Sequence, residues 1–269
     1  MCGPQTQDGT SRLAALAPCD RSGRPPRDHT TDRLQAGRVR RDRRQLDRTA
    51  VQTHLAGHTR ILAVADEVDE LLYGDRLPTL KPDLVLSCGD LPFDYLEYLV
   101  SRMDVPLLYV PGNHDESLEP RDMSWMPLRA ELPIPGPQGC DNIDGRVVEV
   151  HGLRIAGLGG SVRYKEGPNQ YSQGQMGRRA LKLELRLRLK RVRAGRKLDI
   201  LVTHAPPFGL AEAKDGAHVG FVALLRLVQN FQPLLHVHGH IHPYGQVMPE
   251  RMLKSTRVIN VVPSRLIDL

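Results

Sequence analysis

Short apolar runs that end at clusters of polar residues most constrain what this chain of 269 residues can fold into. Such runs cover residues 61–65, 83–88, 105–110 and 198–203, and they have the length and content of buried strands. A helical pattern over residues 94–103 separates two of them. Strands that alternate with helical spacers indicate a largely parallel sheet. Ligands bind at the carboxyl edge of such sheets, so we expect the polar clusters to meet there.

The pattern changes beyond the Pro- and Gly-rich residues 127–139. Residues 146–150 and 153–158, joined by His151 and Gly152, predict a hairpin that begins a second sheet. In residues 173–193 the leucines at 181, 183, 185, 187 and 189 alternate as in a strand, but residues 181, 185, 189 and 192 also form a helical stripe. We predict a helix, because nearly every residue there is a strong helix former. A further helix is predicted over residues 221–230, and short strands over residues 234–238, 246–248, 257–261 and 265–268.

The net charge of +6 is concentrated at the start of the chain, where residues 1–60 contain 12 Arg and 6 Asp but no Lys or Glu. Residues 1–57 also lack Ile, Phe, Trp and Tyr, so they cannot bury enough apolar area to offset the entropy of ordering. We therefore expect a disordered Arg-rich segment over residues 1–57 and a folded domain over residues 58–269. The skewed composition also agrees with a misplaced start codon in a GC-rich gene. A basic arm that binds nucleic acid is the alternative.

The chain contains no apolar stretch of 18 residues, so no transmembrane helix and no membrane partner are expected. Its four cysteines form neither a disulfide framework nor a Cys-x-x-Cys zinc motif. A cytoplasmic location fits this cysteine usage best.

Four polar segments at strand ends together supply the ligands of a dinuclear metal site: Gly89-Asp90, Gly112-Asn113-His114-Asp115, Thr203-His204-Ala205-Pro206 and Gly239-His240-Ile241-His242. Two divalent ions need a shared carboxylate, and Asp90 is placed to bridge them. Asn113, His204 and His240 can complete the coordination of the first ion. Asp66 and His242 would hold the second.

His114 has no ligand position in this scheme. We predict that it donates a proton to the leaving oxygen or stabilises charge on the phosphoryl group. Asp115 follows His114 directly in the sequence, and it could orient His114 from behind.

The combined set of motifs resembles the calcineurin-like metallophosphoesterase superfamily over residues 60–269, with a weaker similarity to its small phosphodiesterase branch. The resemblance implies a four-layer α/β/β/α sandwich of two mixed sheets flanked by helices. It also implies a centre of two divalent ions of Mn, Fe, Zn or Ni type, and hydrolysis of phosphomonoesters or phosphodiesters.

One residue departs from the family pattern, which opens with Asp-x-His where this chain has Asp66-Glu67-Val68. Valine cannot bind a metal, so one of the two sites loses an imidazole. Unless Glu67 or Asp69 takes its place, the consequence is weak occupancy, altered metal preference or a mononuclear enzyme. Carboxylate ligands favour Mn²⁺ or Mg²⁺ over Zn²⁺, and Mn²⁺ is the ion we expect.

Residues 161–171 form a predicted cationic and aromatic loop in which Arg163 and Tyr171, with Asn113, are candidates for binding substrate. An ordinary surface loop is the alternative. The basic residues 178–197 could attract nucleic acid, but the absence of interleaved aromatic residues favours a solvated helix face.

The sequence therefore predicts a metal-dependent phosphoesterase that cleaves a small phosphodiester or phosphomonoester. A metal-activated hydroxide would attack phosphorus while His114 assists the leaving group. The alternatives are a nuclease of the same fold and a non-catalytic binding module with a degenerate metal site.

Overall fold

The computed structural model describes residues 58–116, 136–189, 198–210, 218–246 and 248–269, and the predicted disordered segment, residues 1–57, lies outside them. The described strands are β1 (Arg60–Val64), β2 (Leu84–Ser87), β3 (Leu107–Tyr109), β4 (Asp141–Asn142), β5 (Val147–Val150), β6 (Leu153–Leu158), β7 (Ser161–Val162), β8 (Gln170–Tyr171), β9 (Ile200–Thr203), β10 (Leu235–His238), β11 (Arg251–Leu253), β12 (Thr256–Asn260) and β13 (Ser264–Asp268). The α-helices are α1 (Arg76–Leu80), α2 (Phe93–Met103), α3 (Gln173–Leu189) and α4 (Val222–Phe231), and Glu70–Leu72 form a 3-10 turn.

The strands form two large sheets in which the central strands are parallel. The first has the order β13-β1-β2-β3-β4, and only β13 runs antiparallel to its neighbour. The second has the order β11-β12-β10-β9-β6-β5, with antiparallel edge strands β11 and β5. The predicted parallel core and the predicted hairpin of β5 and β6 are therefore both confirmed.

Three buried clusters separate four layers. The cluster between the sheets joins alternate residues of both, including Ile61, Leu84, Ile200 and Val237. The other face of the first sheet packs against α1 and α2 through a second cluster. The other face of the second sheet packs against α3 and α4 through a third. This arrangement confirms the predicted α/β/β/α sandwich.

Local sequence explains where the helices and the hairpin end. Asp104 has φ 51° and donates its peptide N–H to Val100 O at the end of α2, while Gln232 has φ 44° at the end of α4 and precedes a proline that cannot continue a helix. His151 and Gly152 have φ values of 51° and 76°, as a tight turn between twisted strands requires.

The structure corrects two expectations about individual elements. Residues 246 and 248 lie outside any strand; Gln246 donates to Pro243 O within a turn, and the strand of this region is β11. In α3 the helix is confirmed, but its buried stripe comprises Met176, Ala180, Leu183 and Leu187, so Leu181, Leu185 and Leu189 remain exposed. Among the described helices, none is long and apolar enough to cross a membrane.

Candidate metal centre

Three of the predicted ligands follow strands on backbone in the left-handed region. Asp66 follows β1 with φ 61°, Asp90 follows β2 with φ 58°, and His240 follows β10 with φ 68°. Non-glycine residues adopt this conformation at an energetic cost that the surrounding structure must offset, and such residues concentrate at functional sites.

Glycines let these turns approach one another. A Cβ at Gly112 would lie 2.0 Å from Asp90 Oδ1, and a Cβ at Gly239 would lie 2.2 Å from Asp66 Oδ2. Both separations are far below van der Waals contact, so no larger residue fits while the carboxylates hold their positions. The glycines that precede Asn113 and His240 are thus part of the site's geometry.

Asp66, Asp90, His204 and His240 bring one ligand atom each within 4.8 Å of one another. Nε2 of His204 is the centre of the group. It lies 2.9 Å from Asn113 Oδ1, 3.1 Å from His240 Nδ1 and 3.3 Å from Asp90 Oδ2. The structure therefore brings together five of the six predicted metal ligands, and their roles as ligands stay predictions.

The other ring nitrogen of His204 decides the chemistry of this group. Nδ1 lies 2.8 Å from the carbonyl oxygen of Cys88, which can only accept, so Nδ1 carries a proton and donates. In neutral His204 the lone pair of Nε2 faces Oδ1 of Asn113 and Oδ2 of Asp90, two oxygen atoms that only accept. These atoms repel one another unless a positive charge lies among them. The donor set therefore fits a divalent cation.

The pKa shifts of the residues around the centre also indicate that positive charge is favoured there. Burial alone would lower the pKa of His204, but the carboxylates of Asp90 and Asp66 outweigh it and raise the pKa to about 9. Burial raises the pKa of Asp66. Burial alone would raise the pKa of Asp90, but His204 outweighs it, so the pKa of Asp90 is lowered. A metal ion would replace the proton that His204 otherwise attracts.

His114 lies beside the centre and is exposed to solvent. Its peptide N–H donates to Asp90 Oδ1 over 2.7 Å, which fixes the backbone and leaves the imidazole free of that contact. Asp115 accepts the peptide N–H groups of Gly112 and Asp90 on Oδ2, at 2.7 and 3.0 Å. Asp115 thus organises the two loops, and an effect on the imidazole of His114 remains a prediction.

A cleft of about 550 Å³ opens next to these residues. Its lining combines an apolar strip with carboxylates and the imidazole of His114: Asp90, Leu91, Pro92, Phe93, Asp94, His114, Asp115 and Glu116. Ligand pockets commonly have volumes of roughly 300–1,000 Å³. The cleft therefore has room for a small substrate beside Asp90.

A calcineurin-like phosphoesterase family model matches residues 52–244 of this sequence, which is most of the chain. The chain belongs to the calcineurin-like phosphoesterase family. The resemblance to the superfamily that the motifs predict is confirmed, and the weaker similarity to its small phosphodiesterase branch stays a prediction.

Curated relatives of this chain include metallophosphoesterase domain-containing protein 1 from Homo sapiens and from Mus musculus, each 48% identical over 56 residues. These matches span 20% of this chain and 17% of the length of each relative. Among solved structures, TT1561 of Thermus thermophilus is 19% identical, with a TM-score of 0.48 over 76% of this chain and 89% of that one.

His242, the sixth predicted ligand, lies at the margin of the cluster. Its Nε2 is 3.9 Å from Asp66 Oδ1, and its Nδ1 is 2.7 Å from Glu67 Oε1. Val68 packs against the cluster between the first sheet and its helices, which we call the outer core, and its aliphatic side chain offers no ligand atom. Asp69 accepts from the Leu71 N–H and from Ser264 Oγ, so it is committed to the turn after β1 rather than to the centre.

The predicted loop over residues 161–171 contains the paired strands β7 and β8, and the predicted substrate residues Arg163 and Tyr171 make other contacts there. Arg163 donates to Gln170 O and to Gln175 Oε1, at 3.3 and 3.2 Å. The guanidinium carbon of Arg179 lies 4.1 Å from the centroid of the Tyr171 ring. Tyr171 also packs against the cluster between the second sheet and its helices. Their roles in substrate binding stay predictions.

Two side chains near the centre were missed as candidates. The hydroxyl of Tyr164 accepts from Asn113 Nδ2 at 3.4 Å, and the ring of His218 lies 4.9 Å from the ring of His240. Tyr164 belongs to the predicted cationic and aromatic loop, but the sequence alone does not show that its hydroxyl lies near Asn113. His218 has no motif around it, and only the folded chain places it beside His240.

Proposed function

We propose that this chain is a metal-dependent phosphoesterase that hydrolyses small phosphoesters, with phosphodiesters preferred. The observation that carries the proposal is the position of His204, whose Nε2 faces Asn113 Oδ1, Asp90 Oδ2 and His240 Nδ1 within 3.3 Å. Positive charge stabilises lone pairs that converge in a buried place, and a divalent cation among them would supply that charge. Membership of the calcineurin-like phosphoesterase family supports the reaction class.

Asp90, Asn113, His204 and His240 would hold the first ion, and Asp66 and His242 would hold a second one together with Asp90. Mn²⁺ suits a site that mixes carboxylate, amide and imidazole ligands. A pair of divalent ions lowers the pKa of a coordinated water and stabilises charge on the attacking and leaving oxygens.

The chain's own contribution to the chemistry is to position these ligands and to supply His114. The hydrogen bond from the His114 N–H to Asp90 Oδ1 ties the backbone of this residue to a proposed metal ligand, so its imidazole is attached at a fixed place beside the centre. An exposed imidazole beside the cleft can transfer a proton to the departing oxygen.

The lining of the cleft supports a small substrate. Its described residues include four carboxylates and no lysine or arginine, so a polyanion such as nucleic acid would be repelled there. The apolar strip formed by Leu91, Pro92 and Phe93 offers a surface for the organic part of a phosphoester.

A cytoplasmic location is part of the proposal. Cys88 and Cys140 are free thiols, with Cys88 buried in the core between the sheets. Free cysteines suit a reducing compartment.

The direct test is hydrolysis of bis(p-nitrophenyl) phosphate and of p-nitrophenyl phosphate by the full chain, first stripped with EDTA and then titrated with Mn²⁺. We expect turnover that requires Mn²⁺, that favours the diester and that is lost in Asp90→Asn. His151→Ala serves as the control, because His151 contacts Asp83 O away from the centre. Absence of turnover with Mn²⁺, Mg²⁺, Ni²⁺, Fe²⁺ and Zn²⁺ would reject the enzyme assignment, and faster cleavage of oligonucleotides than of either ester would favour a nuclease.

A further inference from the structure

Glu67 and His242 form a pair at the open side of the centre, and nothing in the family pattern assigns Glu67 a part. Nδ1 of His242 lies 2.7 Å from Glu67 Oε1. Since a carboxylate only accepts, Nδ1 carries the proton and the lone pair of the ring is on Nε2. That lone pair lies on the side of Asp66, where Nε2 is 3.9 Å from Oδ1.

This separation suits two ligands of one ion. Bonds from imidazole and carboxylate to a divalent ion are about 2.0–2.2 Å long, so two such ligand atoms lie no more than roughly 4.4 Å apart. A carboxylate that accepts the far N–H of a metal-binding histidine fixes both its tautomer and its ring orientation. Glu67 has this relationship to His242.

We infer that Glu67 is the positioning residue for His242 at a second cation position, and that this position binds its ion more weakly than the first. The inference rests on the proposed function, because it takes Asp66, Asp90 and His242 as ligands. The sequence left weak occupancy, altered metal preference and a mononuclear enzyme as consequences of valine at position 68. The inference selects one outcome, in which two ions bind with unequal affinities.

The inequality follows from burial and from the number of ligands. His204 is fully buried and the Asp90 side chain is 6% exposed, whereas the side chains of His242 and Glu67 are 37% and 46% exposed. Val68 packs into the outer core and adds no ligand. The second position therefore depends on three ligands, and one of these is held in place by a solvent-exposed glutamate.

The test is the binding of Mn²⁺ to the full chain, measured from the electron paramagnetic resonance signal of the free ion without any substrate. The variants are Glu67→Ala, which removes the acceptor, and Glu67→Gln, which retains an acceptor oxygen. Glu70→Ala is the matched control, because it removes an exposed carboxylate of the adjacent 3-10 turn.

We expect two equivalents of Mn²⁺ with separate affinities in the unmodified chain. Glu67→Ala should weaken only the second by about 10–100-fold, the usual effect of losing a partner behind a metal ligand. Glu67→Gln should restore most of the affinity, and Glu70→Ala should bind as the unmodified chain does. Equal weakening of both equivalents, or of neither, would overturn the inference.

A single equivalent in the unmodified chain would also overturn the inference but would leave the proposed centre intact. Binding of no Mn²⁺ at all would reject the proposed centre itself. The two failures are therefore distinguishable.

Discussion

The peptide N–H of His240 donates a hydrogen bond to Oδ2 of Asp66 over 2.8 Å, across 174 residues of sequence. Asp66 follows β1 of the first sheet, and His240 follows β10 of the second. The centre therefore spans both sheets, and its geometry depends on how closely the two strand ends approach. Gly239, directly before His240, makes that approach possible.

Gly239→Ala tests this dependence. The added Cβ would lie 2.2 Å from Asp66 Oδ2, so the carboxylate or the turn must shift. A displacement of about 1 Å at a catalytic constellation can reduce the rate by about 10²-fold, and we expect at least that loss in Mn²⁺-dependent hydrolysis. In Gly177→Ala the new Cβ meets nothing within 4 Å, so activity should be retained. Normal activity in the Gly239 variant would show that the close contact is dispensable.

His114→Ala tests the assignment of a proton donor. We expect kcat to fall by about 10²–10⁴-fold with a substrate whose leaving group is an alkyl alcohol. The loss should be much smaller with p-nitrophenol as the leaving group, because that group departs without a proton. Mn²⁺ binding should stay unchanged, since the contact to Asp90 uses only the backbone of residue 114. An equal loss for both leaving groups would argue against proton transfer.

Val68→His would restore the imidazole that the family pattern places after Asp66. We expect the second equivalent of Mn²⁺ to bind more tightly, with the first unchanged, in the same titration of the free ion. Val68→Ala is the control for lost packing, because Val68 contacts the outer core. If both variants bind Mn²⁺ as the unmodified chain does, position 68 has no access to the centre.

Buried histidines give the fold a dependence on pH that is separate from catalysis. Burial lowers the pKa of His238 to about 4, against about 6.5 in an unfolded chain. The unfolded state therefore binds more protons between these values, and stability falls as the pH drops from about 6.5 towards 4. At pH 5 this one group should reduce the free energy of unfolding by roughly 1–2 kcal/mol.

The measurement is urea unfolding in EDTA at pH 7 and pH 5. His238→Gln should lose less stability between the two pH values than the unmodified chain does. Parallel losses in the two proteins would assign the effect to other groups, of which His236, whose pKa burial also lowers, is the first to examine.

The sequence predicts most of this fold because buried strands appear in it as continuous apolar runs. Residues 61–65 and 198–203 read as strands since both faces of β1 and β9 are covered, and no alternation interrupts their apolar character. The pairing of β13 with β1 is not visible in the same way, because it depends on contacts between residues at opposite ends of the domain. In α3 both leucine stripes have helical spacing, so only tertiary packing selects the buried one.

The sequence predicts those residues of the candidate centre that lie at strand ends, and it predicts the residues in other loops less well. Asp90, His204 and His240 are found from position alone, because parallel strands end at one edge. Arg163 and Tyr164 lie in one loop, and the sequence cannot tell that the tyrosine rather than the arginine contacts Asn113. The sequence offers Glu67 as a substitute ligand, whereas its hydrogen bond to His242 is visible only in the folded chain.

The position of β13 has a consequence for how the protein folds during synthesis. β1 pairs with β13 on one side and β2 on the other, with Arg60 opposite Asp268. The ribosome releases β1 about two hundred residues before β13 emerges, so one edge of β1 stays unpaired during that interval. Contacts this distant in sequence form slowly. We therefore expect the first sheet to be the last part of the domain to close, and chaperones to act on it during that interval.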